Sequence, residues 1–202
     1  LTDMQEAFLL GRQASIDDDT VGAHIYLEID VKGPVDIQRL NRAWNRLIAH
    51  HAMLRTVCGE DGQRGQAEVA TAHCKVGGFR VMDPGTRQAK ACSLRETMAR
   101  RVFAANEWPL FDIRVALHGP DASRIHFSID ELIVDGLSVD RLIRQWDALY
   151  GQPDRALAPM DLSFRDYVLA MKAFEASDTV RQDLAYWQTR LAQAPGGPQL
   201  PR

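Results

Sequence analysis

The chain has 202 residues, 46% of them hydrophobic and 25% charged, with a formal net charge of −3. That balance supports one sizeable core and excludes disorder as the default, while the scattering of both charge signs leaves no basic block for nucleic acid or an anionic membrane. The apolar runs are too short to span a bilayer and no signal peptide is visible; Cys58, Cys74 and Cys92 form neither a C-x-x-C pair nor an even framework, which points to a reducing, cytoplasmic setting.

Met4, Ala7, Phe8 and Leu9 behind Thr2 or Asp3 predict a short helix over 2–10, ending at Gly11. Alternating Ala23, Ile25, Leu27, Ile29 and Val31 predict a strand over 22–31, broken by Gly33-Pro34. Asp36 then caps a helix that carries Ile37, Leu40, Trp44, Leu47 and Ile48 to about His51. A second strand is expected over 53–58, a turn-rich segment over 59–67, and a weaker strand over 75–82 closed by Asp83-Pro84-Gly85. Leu94, Met98, Val102 and Phe103 mark an amphipathic helix over 89–104. Residues 111–118 and 124–130 read as a hairpin around Gly119-Pro120-Asp121, and helices follow at 139–150, 163–176 and 178–193. The mixed order predicts an α/β (α+β) fold, a mixed sheet covered by helices. The first residue is Leu1 and the last stretch, 194–202, is rich in proline and glycine; both ends read as cuts in a longer polypeptide.

The hairpin has two unlike faces. Phe111, Ile113, Val115 and Leu117 point one way beside Ile125, Phe127 and Ile129, which makes core. Asp112, Arg114, His126, Ser128 and Asp130 point the other way, and so polar a face suggests a cavity, a channel or a surface between domains. The second strand runs into Asp130-Glu131-Leu132-Ile133-Val134-Asp135-Gly136-Leu137-Ser138, a strand-to-helix junction with two carboxylates and a hydroxyl at i, i+5 and i+8. Loops on a rigid scaffold are where binding and catalytic groups concentrate. Each residue also has an ordinary reading. Ser138 is a helix N-cap, Asp135-Gly136 a turn pair, and a buried Asp135 needs several amide donors or a cation, for which Arg55 and Arg114 are candidates. Asp130 closes the polar row and is the strongest candidate for chemistry.

Other chemistries find no support. His50 and His51 are adjacent, and adjacent residues do not share a helix face, so no joint site is expected there. No H-E-x-x-H, G-x-S-x-G, P-loop or G-x-G-x-x-G occurs, and no metal site is expected. Trp44, Trp146 and Trp187 lie on amphipathic helices and read as core.

Six segments carry a resemblance. Leu1-Thr2-Asp3-Met4-Gln5-Glu6-Ala7-Phe8-Leu9-Leu10-Gly11-Arg12 resembles the opening L-T-x-x-Q-x-A-Y-x-x-G-R of heterocyclisation domains in nonribosomal peptide synthetases, with Phe8 for the usual Tyr. His50-His51-Ala52-Met53-Leu54-Arg55 resembles their R-H-x-M-L-R, and Trp108-Pro109-Leu110-Phe111-Asp112-Ile113-Arg114 their W-P-L-F-E-I-R. Asp130, Asp135 and Ser138 match the signature D-x-x-x-x-D-x-x-S; Ser163-Phe164-Arg165-Asp166-Tyr167 and Tyr186-Trp187 match later helices. The resemblance covers 1–193 as the N-terminal lobe, with 194–202 as a linker toward a C-terminal lobe.

The resemblance implies a fold similar to chloramphenicol acetyltransferase, two lobes in a V around a tunnel. Glu131 sits where the second His of H-H-x-x-x-D-G stands in amide-forming condensation domains, so that chemistry is absent here. Such domains join an acyl or aminoacyl thioester to carrier-bound Cys, Ser or Thr and cyclodehydrate the product to a thiazoline or oxazoline. No cofactor is bound directly; both substrates arrive on the phosphopantetheine of carrier domains. The implied partners are carrier domains, an adenylation domain and the C-terminal lobe. Asp130, Asp135 and Ser138 are the signature site residues, with Asp135 paired to Arg55, and with Arg114, Ser128 and Asp130 on the tunnel wall. The alternatives are a non-catalytic lobe that docks carriers, and an amide-forming domain that has lost its histidine.

Overall fold

His24–Lys32 alternate polar and apolar side chains and form strand β1. In the computed structural model, which describes residues 1–13, 22–59, 64–66, 75–78, 84–118, 122–194 and 196–197, β1 is one edge of a four-stranded sheet. It pairs antiparallel with β6 (Ala122–Asp130), β6 pairs antiparallel with β5 (Phe111–Leu117), and β4 (Lys75–Gly78) joins β5 in parallel. A separate ladder joins β2 (Thr56–Cys58) to β3 (Arg64–Gln66). Gly33 takes φ +88° just after β1, a conformation that favours glycine, and the chain turns there.

The register places Leu27, Phe127 and Ile113 in one cross-strand row and Tyr26, Ser128 and Asp112 in the next. The two faces therefore alternate as the sequence predicts. On the apolar face lie α2 (Ile37–His50) and α4 (Gly136–Gly151). Asp36 caps α2 by accepting the Arg39 N–H, and Leu40, Ala43, Trp44, Leu47 and Ile48 are its buried stripe. Trp44 meets Phe111, Phe127 and Trp146 with ring centroids 5.2, 5.4 and 5.0 Å away. The polar face receives α3 (Pro84–Ala99), tied to β1 by Arg95 on Glu28 and by His24 against the Met98 carbonyl.

Several predicted boundaries move for local reasons. Residues 53–58 are not all strand: Ala52–Arg55 form a 3-10 turn that buries Leu54 and lets the Trp108 indole N–H donate to its carbonyl. Helix α3 starts at Pro84, where a missing N–H costs nothing, and stops at Ala99, so Phe103 enters the core from a non-helical segment. The first helix, α1 (Asp3–Gln13), runs through Gly11. The turn Gly119-Pro120-Asp121, the end of the 75–82 strand, most of 59–67, Cys74 and much of the 194–202 tail lie outside the described residues.

The chain divides into two compact units, Leu1–Pro159 and Met160–Arg202. The second holds α5 (Phe164–Glu175) and α6 (Asp178–Ala192). Ser163 and Asp166 form a reciprocal capping box on α5, and Ser177 caps α6. Trp187 is 55% exposed and no residue of α6 is buried, against the expectation of a core role. Periodicity shows that α6 has an apolar stripe, and periodicity cannot say what covers it. Among the described residues no helix is long and apolar enough to cross a membrane.

Candidate functional site at the strand-to-helix junction

Strand β6 ends at Asp130, and its carboxylate makes the turn. Oδ1 accepts the Leu132 N–H at 2.9 Å while the Asp130 carbonyl accepts the Ile133 N–H at 3.2 Å. Two more backbone bonds anchor the turn, from Asp130 N–H to the Leu110 carbonyl and from Glu131 N–H to that of Ala23, both 3.0 Å. Asp130 is only 1% exposed. Its cation is Arg12, whose Nη2 bridges both carboxylate oxygens at 2.5 and 2.6 Å while Nη1 donates to the Phe103 carbonyl at 2.9 Å. Burial pushes the Asp130 carboxyl up; the Leu132 amide and Arg12 pull the other way.

The other expected partners rearrange. Arg114 does not reach for Asp130 or Asp135; its Nη2 and Nε donate to Asp112 at 2.9 and 3.1 Å, and Arg101 donates to the same oxygen at 2.7 Å. The expected Arg55–Asp135 ion pair does not form. Arg55 donates to the carbonyls of Ile48 and Ala49 in the last turn of α2, where a cation suits the helix dipole. Asp135 is the N-cap of α4 and accepts the Ser138 N–H at 2.7 Å. Ser138 is therefore not the cap. Its hydroxyl and its amide together hold the Asp135 carboxyl below the usual carboxylate range. Asp135→Ala is expected to cost about 1 kcal/mol, the worth of a carboxylate N-cap, read as a shift in the denaturant midpoint. A loss above about 3 kcal/mol would mean Asp135 holds a buried partner besides its cap.

Arg114, Ser128 and Asp130 share one face of the sheet, yet Ser128 is 0% exposed and its hydroxyl has no partner among the described residues. Beside it runs a chain of polar contacts. His126 Nδ1 lies 2.7 Å from the Tyr26 hydroxyl, which donates to Glu28 at 2.8 Å. With the Tyr26 hydroxyl donating to Glu28, Nδ1 must be the protonated nitrogen of a neutral ring, which leaves Nε2 as a buried acceptor without a partner among the described residues. Burial pushes the His126 imidazolium down and the Tyr26 phenol up.

Glu28 also takes Arg95 in a two-bond fork, at 2.5 and 2.8 Å, and Arg124 at 2.8 Å. Arg95 first, then the Tyr26 hydroxyl, hold its carboxyl down to about 2 from 4.5. A depressed carboxylate stabilises the fold above its unfolded value, and that stability is lost as pH falls from 4.5 toward about 2. Denaturant midpoints measured across this window should fall less steeply for Glu28→Gln than for the parent; equal slopes would show that Glu28 is not the titrating group.

His50 and His51 do come together, with ring centroids 4.8 Å apart. His51 is the C-cap of α2 with extended backbone, so the helix-face argument does not apply to it. Its Nε2 lies 2.7 Å from Gln145 Oε1, and burial lowers its pKa. Among the described residues no cluster of His, Cys, Asp or Glu is arranged to hold a metal ion.

The junction is thus a turn built from one buried carboxylate, followed by a helix capped by a second, with Glu131 half-buried between Asp130 and Leu132. Arg12 is the residue that pattern reading missed. Its only sequence signal is the Gly11-Arg12 that closes the opening segment; 118 residues separate it from Asp130.

The condensation-domain family matches residues 1–202. Pyochelin synthetase PchF of Pseudomonas aeruginosa is 33% identical over 202 residues, all of this chain and 11% of that protein. Phenyloxazoline synthase MbtB of Mycolicibacterium paratuberculosis is 30% identical over 210 residues, again all of this chain and 17% of the relative. Among solved structures, the EpoB cyclization-docking bidomain from Sorangium cellulosum superposes with a TM-score of 0.91 at 32% identity, over all of this chain and 40% of that one. The chain therefore spans less than half the length of each of these three proteins.

Proposed function

The chain belongs to the condensation-domain family, and from that premise we propose that it is the N-terminal lobe of a heterocyclisation domain in a nonribosomal peptide synthetase. The observation that carries this reading is the likeness along the whole chain to the EpoB cyclization-docking bidomain. The names of two relatives agree with it: a pyochelin synthetase and a phenyloxazoline synthase. The intact domain would join a carrier-bound acyl or aminoacyl thioester to carrier-bound Cys, Ser or Thr. It would then close the side chain onto the new amide carbonyl with loss of water. Both substrates would come on phosphopantetheine arms, with carrier and adenylation domains as neighbours, and 1–193 would supply one wall of the tunnel.

Within that reading, Asp130 and Asp135 are scaffold for the chemistry. Asp130 is bridged by Arg12 and by the Leu132 amide, and Asp135 is engaged as a helix cap, so neither is a loose proton carrier. The junction has no histidine between Ser128 and Ser138, which removes the ordinary imidazole for amide formation. Mass analysis of the product released by the intact synthetase tests the reading. A product one water lighter than the linear amide supports it. An uncyclised amide would support an amide-forming domain instead.

A further inference from the structure

Helix α1 reaches the junction at two places. Arg12 is one. The other is Gln5, which is 5% exposed. Thr2 and Gln5 form a reciprocal cap: the Gln5 N–H donates to Thr2 Oγ1 at 3.4 Å and the Thr2 N–H donates to Gln5 Oε1 at 3.1 Å. The oxygen of the Gln5 amide is thereby tied to the first turn of its own helix. Its nitrogen, Nε2, donates to the Leu132 carbonyl at 2.7 Å, a buried contact across 127 residues of sequence.

Seven residues separate Gln5 from Arg12, so the two lie on one face of α1, about 10 Å apart along its axis. Arg12 holds Asp130, Gln5 holds Leu132, and Glu131 between them gives its N–H to Ala23. Leu1, Phe8 and Leu9 pack against the main core, so the helix that carries both contacts is itself anchored. The turn is held on both sides of Glu131 by one rigid element that the signature motif does not include.

We infer that α1 is the positioning element of the junction: Gln5 and Arg12 set the direction in which residues 130–133 leave the sheet, and so the placement of Glu131 and of the start of α4 beside the reacting groups. Both act through the turn and are positioning residues. The catalytic part of the inference rests on the proposed condensation chemistry, where a misplacement of about 1 Å can lower a rate about 100-fold.

The test uses the intact synthetase with Gln5→Met, which removes the donor at similar volume. Gln5→Glu, which keeps the cap oxygen and removes the donor, is the second variant. Leu47→Ala, in the core on α2, is the control for general destabilisation. Two readouts are taken well below Tm: amide hydrogen exchange at 131–133, and kcat and KM with the synthetase's own carriers loaded. The Gln5 variant that folds should exchange faster at 131–133 and lose tenfold or more in kcat, with KM within twofold. Leu47→Ala, at an equal or larger loss in Tm, should change neither. Unchanged exchange at 131–133 in the Gln5 variants, or an equal rise in Leu47→Ala, overturns the inference. A parent enzyme that makes only linear amide overturns the heterocyclisation reading and leaves the exchange result to judge α1 on its own.

Discussion

Arg12→Ala is expected to lower the folding free energy by about 3–5 kcal/mol, the cost of removing one partner of a buried pair. Asp130 is 1% exposed and Arg12 11%, so solvent cannot replace the lost guanidinium. Burial already pushes the Asp130 carboxyl up, and without Arg12 the Leu132 amide, with a smaller contribution from His24, is what still opposes it. The carboxyl would then take up a proton more tightly folded than unfolded, so the variant should regain stability relative to the parent as pH falls. The Phe103 carbonyl also loses its donor. Arg12→Lys keeps the charge but cannot bridge two oxygens and reach Phe103 at once, so it should recover only part of the loss. Urea midpoints at neutral and acid pH measure all of this. A loss below about 1 kcal/mol, typical of an exposed pair, would show that the contact is weak in solution.

Trp44→Ala should cost a similar amount, about 3–5 kcal/mol, through a different cause. Trp44 is 1% exposed and joins α2 to the sheet and to α4 through Phe111, Phe127 and Trp146. Truncation leaves a cavity between rigid elements that cannot close around it. The indole N–H has no acceptor among the described residues, so Trp44→Phe deletes an unsatisfied donor while keeping a ring, and its loss should be clearly smaller. Thermal unfolding of the two variants separates the cases. Equal losses for Phe and Ala would mean that the indole N–H, and not the ring, is what the site requires.

The two faces of the hairpin could be read from the sequence because strand side chains alternate with a period of two, and the β5–β6 ladder runs in unbroken register with no bulge to shift them. The α2 stripe was legible for the same kind of reason. What could not be read was pairing over distance. By charge, Arg55 and Arg114 are reasonable partners for Asp135, and Arg114 for Asp130. Arg55 sits instead on the end of α2 and Arg114 on Asp112, while Arg12 comes from the other end of the chain. Charge complementarity names the type of partner, and topology chooses which one. The cap of α4 was misassigned for a local reason. Asp135 and Ser138 are both good caps three residues apart, and the helix starts at the first of them. The alternative of a carrier-docking lobe without catalysis leaves every one of these contacts as it is, which is why product analysis, and not geometry, separates the readings.

The pairing of β1 with β6 and the bridge from Arg12 to Asp130 also bear on how the molecule is made. During synthesis α1 and β1 emerge well before β6, and Asp130 follows Arg12 by 118 residues. At the usual elongation rates this interval lasts on the order of ten seconds. Throughout it, β1 has no strand to pair with, and the Arg12 side chain has no carboxylate to meet. The sheet edge, the ion pair and the turn can close only once the second strand of the hairpin has left the ribosome. The turn at Asp130 is therefore among the last parts of this unit to assemble, and the nascent chain must keep an apolar strand from false partners until then.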